Sequence, residues 1–259
     1  MNVVRDEPQR LALLVAYDGT DFSGFARQKH ARTVQGVIED SLQLLLRSPV
    51  NTTAAGRTDA GVHASGQVVS LDVPDSTDPL WLLKRLNKLL SPEVVVRAAS
   101  VVPATFDARF SATGREYEYR IYRGEVADPF RDRFMVHLTG PLSVTSMRAG
   151  AKLLVGEHDF SSFCRRSPGR SPVRRVRLIR IVTGTDAVTF HIAADSFCHQ
   201  MVRSIVGLLL EVGQGKKQPD DVSRALRGRD RNAAGPVAPA RGLHLVRVRY
   251  ARAPFRGIA

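Results

Sequence analysis

Apolar positions along the chain switch between the period of a strand and the period of a helix. Leu11 to Tyr17 is a short apolar run stopped by the turn pair Asp18-Gly19, which predicts a buried strand. Thr33 suits the N-cap of a helix carrying Val34, Val37, Ile38, Leu42 and Leu45 on one face. A stretch punctuated by glycine covers 56–66, and a strand-like segment runs from Gln67 to Val73. Asp78-Pro79 sets a cap ahead of a first-turn proline, predicting a second helix with Leu82, Leu83, Leu86, Leu89 and Leu90. Val94 to Val102 predicts another strand.

Arg115 to Tyr122 alternates strictly, with Tyr117, Tyr119 and Ile121 on one face and Glu116, Glu118 and Arg120 on the other. Ser143 can cap a helix bearing Val144, Met147, Ala151 and Leu154. Strands are expected near Val173–Val182 and Ala187–Ala194, then the longest later helix from about Phe197 to Val212. Residues 228–242, rich in Gly, Pro and Ala, read as a loop before a last strand from Leu243 to Tyr250. Strands and helices alternate without the regularity of a parallel βαβ sheet. The expectation is therefore α+β, in two halves at 1–105 and 106–259, sharing a continuous sheet or a tight interface because no flexible linker separates them.

With 259 residues and 43% hydrophobic content, the chain can bury a real core. Charge changes the picture more: 38 Lys+Arg against 25 Asp+Glu leave a net charge of +13, which favours a polyanionic partner. Seven arginines fall between Arg165 and Arg180, around Pro168, Gly169 and Pro172, so part of that run is a loop able to follow a phosphate backbone. The two cysteines, Cys164 and Cys198, have no metal-binding spacing; neither a disulfide framework nor a zinc site is expected, and a reducing cytoplasm fits. Met1 to Arg10 does not read as a signal peptide, and no apolar run has the length of a membrane span.

Phosphate-binding, dinucleotide, zinc-protease and serine-hydrolase motifs are all missing from the sequence. The densest local signal is Gly56-Arg57-Thr58-Asp59-Ala60-Gly61-Val62-His63-Ala64. Glycines there permit close backbone approach to a ligand, and an arginine beside a carboxylate holds it ionised, ready to act as nucleophile or base. On residues alone, an Asx-turn in which Asp59 caps backbone amides is the plainer reading. In the helix beyond Phe197, apolar residues cover most of the circumference. Gln200, Arg203, Ser204, Gly207 and Glu211 share the remaining stripe. A largely buried helix would leave Arg203 needing an anionic partner, either Asp59 or Glu211 two turns along. His199 reads as a packed or RNA-contacting residue, not a metal ligand. Tyr117 either stacks on an unstacked base or packs in the core, as Tyr119 is expected to do.

These pieces together resemble the TruA-type tRNA pseudouridine synthases over nearly the whole chain. Tyr17-Asp18-Gly19-Thr20-Asp21-Phe22-Ser23-Gly24-Phe25 resembles the family's opening motif, and Thr33-Val34-Gln35 its T-V-Q. Residues 56–64 match G-R-T-D-A-G-V-H-A without a departure. Phe106 to Phe110, Arg115 to Tyr119, Pro172-Val173-Arg174, Phe197 to Arg203, and Gly242-Leu243 to Val246 follow in the family's order.

The resemblance implies two halves of ferredoxin-like topology sharing one mixed, mainly antiparallel sheet flanked by helices, in a homodimer. It implies that Asp59 is the nucleophile, Tyr117 the aromatic beside the target base, and Arg203 the partner that orients and charges Asp59. Arg57 would hold open the space a flipped nucleotide leaves, and Arg165, Arg166, Arg174 and His199 are expected to contact RNA. The implied substrate is tRNA, at uridines 38, 39 and 40 of the anticodon arm. Isomerising uridine gains or loses no atoms and needs neither metal nor cofactor. Rival readings are a synthase for other uridines and a non-catalytic RNA-binding or chaperone protein. The sequence departs from the family pattern at Phe25 and Ala26 (Trp-Gln in the family), Asp107 (His) and His244 (Tyr), which bear on substrate range.

Overall fold

The computed structural model describes residues 8–165, 169 and 171–255. The elements begin with β1 (Gln9–Tyr17), α1 (Val34–Leu46), β2 (Thr52–Ala54), β3 (His63–Val73), α2 (Pro79–Leu90), β4 (Val94–Val102) and β5 (Ala112–Tyr122). They continue with β6 (Val136–His137), α3 (Val144–Lys152), β7 (Gly156–Asp159), β8 (Val173–Thr183), β9 (Ala187–Ala194), α4 (Met201–Gly213), α5 (Asp220–Gly228) and β10 (Leu243–Tyr250). The fold is α+β, with helices flanking mixed, mainly antiparallel sheet. The chain forms two compact units, Met1–Thr113 with Leu245–Ala259, and Gly114–His244.

In the first unit β1 lies between β4 and β3, antiparallel to both, and β2 pairs with β3 through Thr52↔Leu71, Thr53↔Ser70 and Ala54↔Val69. The order β4-β1-β3-β2 along a β-α-β-β-α-β chain is the ferredoxin-like arrangement. Every residue from Leu11 to Val15 is buried, because both faces of the sheet are covered. Ala12 and Leu14 face a cluster with Ala55, Val68, Ala98, Val102 and Ala108, roofed by Phe106, Val248, Tyr250 and Phe255. The alternate residues Leu11, Leu13 and Val15 point to the other face, where α1 and α2 bury Val34, Ile38, Leu42, Leu82, Leu86 and Leu90. Each such burial is worth roughly 1.5–3 kcal/mol. The caps are those expected: Thr33 accepts from the Gly36 amide, and Asp78 accepts from the Leu80 and Trp81 amides ahead of Pro79.

The return of β10 to this unit explains why its last residues belong with its first. Gly66 in β3 makes room for it, since a Cβ there would lie 2.1 Å from the Val246 carbonyl oxygen.

The second unit repeats the β-α-β-β-α order with β5, α3, β8, β9 and α4, in the sheet order β5-β9-β8-β7. β6 runs parallel to β5, which makes the sheet mixed. The alternation of β5 is realised as expected: Tyr117, Tyr119 and Ile121 are buried while Glu116, Glu118 and Arg120 are half-buried. α4 is the central helix, with Met201, Val202, Ser204, Ile205, Val206, Gly207, Leu208, Leu209, Val212 and Gly213 all buried. It packs on α3 at Gly150, where a Cβ would sit 3.2 Å from Leu209.

Two expectations shift. α4 begins at Met201, not near Phe197, because the Met201 amide closes a turn on the Cys198 carbonyl and Gln200 takes a left-handed conformation with φ of 65°. β3 begins at His63, four residues early, since pairing with β1 continues past a bulge to Tyr17↔Ala64. α5, with Asp220 and Asp221 in its first turn and Val222 and Ala225 buried, is not anticipated by the sequence pattern. No helix among the described residues is long and apolar enough to cross a membrane.

Candidate active site

In the first unit the run 56–64 leaves β2 as an irregular loop and enters β3 at His63. It is held from both sides. Gln67, fully buried, donates to the Gly56 carbonyl at 2.6 Å and accepts from the Gly56 amide at 3.3 Å, which fixes the loop's entry. Thr58, also buried, is gripped by the opening motif: the Phe25 amide donates to its carbonyl at 3.0 Å, and its hydroxyl lies 2.8 Å from the Tyr17 hydroxyl. At the far end the Val62 amide closes a turn on the Asp59 carbonyl, and the Gly19 amide donates to His63 Nδ1 at 3.1 Å.

Two glycines of the opening motif are required by this close approach. A Cβ on Gly19 would fall 2.0 Å from the Val62 carbonyl oxygen, and Gly24, at φ +98°, lies against the Thr58 carbonyl. Residues 17–25 and 56–64, which are distant in sequence, are thus one built structure around Asp59. Asp59 itself is half-buried, and Arg57 is exposed beside it. The bracing roles of Tyr17, Thr58 and Gln67 were not read from sequence; the signal for Tyr17 lay in the opening motif, for Thr58 in the run 56–64, and for Gln67 in a polar residue at a core position of a strand.

In the second unit Tyr117 is buried in β5 and meets Phe197 edge-on, with ring centroids 5.2 Å apart and planes at 90°. Tyr119 is core, as expected: its hydroxyl donates to the Pro239 carbonyl at 2.9 Å. Burial raises the Tyr119 pKa, opposed by the nearby positive charges of Arg203 and Arg241. Arg203, in the first turn of α4, donates from Nε to the Ala238 carbonyl at 2.7 Å. Of the two carboxylates weighed for it, Glu211 is instead paired with Lys217 at 3.3 Å. Phe197, which the sequence offered as the start of the motif running to Arg203, packs on Tyr117, while the 236–239 segment that meets Arg203 and Tyr119 read from sequence only as loop.

Among the expected RNA contacts, Arg165 and His199 are exposed and sit together, the Arg165 amide donating to the His199 carbonyl at 3.0 Å. Arg174 lies at the start of β8, with Nη1 donating to the Ser171 carbonyl at 2.7 Å. Arg166 lies outside the described residues. The reading of the cysteines needs correction: Cys164 and Cys198 are joined as a disulfide, with Cα atoms 5.7 Å apart across 34 residues of sequence. Spacing rules could not show it, because the two meet only after α4 has packed beside the 3-10 turn Ser161–Phe163. Among the described residues no group of three or more His, Cys, Asp or Glu could hold a metal ion.

The departures from the family pattern have structural partners here. Phe25 is buried against Tyr17 at 5.9 Å, Asp107 accepts from the Arg109 and Phe110 amides at 2.7 and 2.8 Å, and His244 Nε2 lies 2.8 Å from the Phe134 carbonyl oxygen.

By comparison with known proteins the chain is an enzyme, an isomerase of the pseudouridine synthase class. The profile of the family described as tRNA pseudouridine synthase matches residues 13–111 and 151–251, and the chain belongs to that family. It is 46% identical over 244 residues to a Frankia casuarinae protein named tRNA pseudouridine synthase A, covering 93% of this chain and 89% of that one. A Geobacillus kaustophilus protein of the same name is 41% identical over 244 residues, covering 93% and 95%. A third, from Cereibacter sphaeroides, is 45% identical over 256 residues, covering 95% and 99%.

Proposed function

We propose that this chain converts uridine to pseudouridine at positions 38, 39 and 40 of the tRNA anticodon arm, with Asp59 as the nucleophile. The observation that carries the reading is the loop 56–64: it is anchored ahead of Asp59 at Gly56 and Thr58, by Gln67 and the Phe25 amide, and after it at Val62 and His63, while Asp59 stays half-exposed between these anchors. Such fixed presentation of a carboxylate is what nucleophilic catalysis requires.

The target nucleotide is extruded from the stack, because stacking hides C1′ and the base edge. Arg57 occupies the space it leaves. The Asp59 carboxylate adds to the extruded nucleotide, the N1–C1′ bond breaks, the base turns, and C5 bonds to C1′. The C5 proton leaves, taken by Tyr117 directly or through water, N1 takes up a proton so that no atoms are gained or lost, and Asp59 ends unchanged, its bond to the nucleotide broken. By the family resemblance, Arg203 is the cationic partner that orients the Asp59 carboxylate. Arg165, Arg166, Arg174 and His199 contact the RNA, and the net charge of +13 draws tRNA to the surface. The enzyme works as a cytoplasmic homodimer.

Asp59→Asn tests the reading. It abolishes pseudouridine formation on tRNA transcripts, read by carbodiimide-dependent primer-extension stops at 38–40, and leaves tRNA affinity nearly intact. Stops that fall only at other uridines would overturn the assigned positions; residual turnover in Asp59→Asn would overturn the nucleophile.

A further inference from the structure

The second unit holds a cavity of about 670 Å³ lined by Ser161, Cys164, Arg165, Gln200, Arg229, Asp230 and Arg231. Three arginines and one carboxylate line it, and that carboxylate, Asp230, already accepts from the Asn232 amide at 3.0 Å. Arg229 spends Nε on Asp159 at 3.1 Å, while its side chain remains 69% exposed. Arg231 donates from Nη1 to the Gly235 carbonyl at 3.0 Å. Arg165 makes no side-chain hydrogen bond or ion pair among the described residues.

The backbone around the cavity is unusual. Only Arg47, Gln200 and Arg229 among the described non-glycine residues have positive φ, and two of these three line this one cavity. Such conformations are unfavourable for a residue with a side chain and persist where the surrounding structure enforces them. Gln200 is also the N-cap of α4, and its side chain makes no cap bond, so the positive end of a 13-residue helix opens beside the arginines.

We propose that this cavity is a phosphodiester-binding site, taking a backbone phosphate of the RNA next to, but not at, the reacting nucleotide. The inference rests on the reading above that RNA is the substrate. Guanidinium forks match phosphate oxygens two at a time, and the cavity is roomier than a lone anion needs, which suits a stretch of polymer backbone. Gln200 precedes Arg203 by three residues, about 4.5 Å along the helix axis, so phosphate bound here sets the RNA's register on the helix that carries Arg203. Arg229 and Arg231 come from the segment after α5, where sequence alone showed only a loop.

The experiment is tRNA binding by filter retention from 50 to 300 mM salt, for wild type, Arg165→Ala and Arg165→Ala/Arg229→Ala, with Arg165→Glu as a further single variant. Removing one cation from a phosphate reduces the slope of log affinity against log salt by roughly 0.7–0.9. Arg165→Ala is expected to show about that reduction and to bind about fivefold to tenfold more weakly at low salt. The Arg165 side chain has no partner among the described residues to disturb, so Arg165→Glu carries the test alone if the double variant does not fold. Wild-type slope and affinity in Arg165→Glu would overturn the proposal. Pseudouridine formation by wild type is measured alongside: its absence would sink the functional reading, whereas unchanged binding in the variants with turnover intact sinks only the phosphate site.

Discussion

Arg203 and Ala238 hold each other by two hydrogen bonds: Arg203 Nε donates to the Ala238 carbonyl at 2.7 Å, and the Ala238 amide donates to the Arg203 carbonyl at 3.1 Å. The guanidinium is therefore aimed by a loop as much as by its helix. That loop lies on α4 at Gly207, where a Cβ would come within 1.9 Å of the Pro236 carbonyl oxygen. The same segment takes the Tyr119 hydroxyl at Pro239, so β5, α4 and residues 236–239 form one braced unit.

Gly207→Ala should accordingly push residues 236–238 off the helix. Overpacking of this kind costs about 1–3 kcal/mol, and here it also turns Arg203. The expected result is a lower Tm together with a fall in single-turnover rate on tRNA larger than that of an equally destabilising change in α1. A Gly207→Ala protein with wild-type Tm and rate would show that the loop does not depend on the missing side chain.

In the first unit, Tyr17→Phe removes the hydroxyl that meets Thr58 Oγ1 at 2.8 Å in a fully buried setting. The change leaves a buried polar atom without its partner, about 1–3 kcal/mol, one residue from Asp59. Stability and turnover should both fall. Thr58→Val added to Tyr17→Phe should cost less than the two single changes together, since both partners are then gone. Strict additivity in urea unfolding would mean that the hydroxyl pair contributes nothing.

How much of this was readable from the chain depends on whether the signal is local. The caps at Thr33, Asp78 and Ser143 and the alternation through Tyr117, Tyr119 and Ile121 are local rules, and each is realised. Asp59 stood out only by its motif; that the loop is clamped by Tyr17, Phe25 and Gln67 is a tertiary fact that no window of sequence contains. The early start given to α4 followed from apolar periodicity, which cannot register the left-handed turn at Gln200. The two cysteines failed for the same reason, since their pairing is made by packing and not by spacing.

Tyr119 gives the protein an alkaline liability with a definite sign. Burial raises its folded-state pKa above the ordinary 10.0, so the unfolded chain gives up this proton first. Its contribution is complete below pH 10 and declines progressively as pH rises toward the folded-state value. Tyr119→Phe lacks the bond to Pro239 and should be less stable than wild type at pH 8, by about 1 kcal/mol. The gap should narrow between pH 10 and 11. Tm curves that stay parallel across that range would contradict the burial of the phenol.

The bond between Cys164 and Cys198 predicts a redox-dependent stability. Closing a loop with a sequence separation of 34 constrains the unfolded chain by roughly 3–4 kcal/mol in the loop-entropy picture. Protein prepared without reductant should resist alkylation at both thiols until reduced, and reductant should then lower its Tm by several degrees. Cys198→Ser should start from the lower Tm and ignore reductant. Because Cys164 is followed by Arg165, whose amide is tied to His199 beside Cys198, reduction should also loosen the segment that carries this arginine. Faster backbone hydrogen exchange at 164–165 and 198–200 on reduction is the expected signature; two thiols that alkylate freely in unreduced protein would show that the bond does not form in solution.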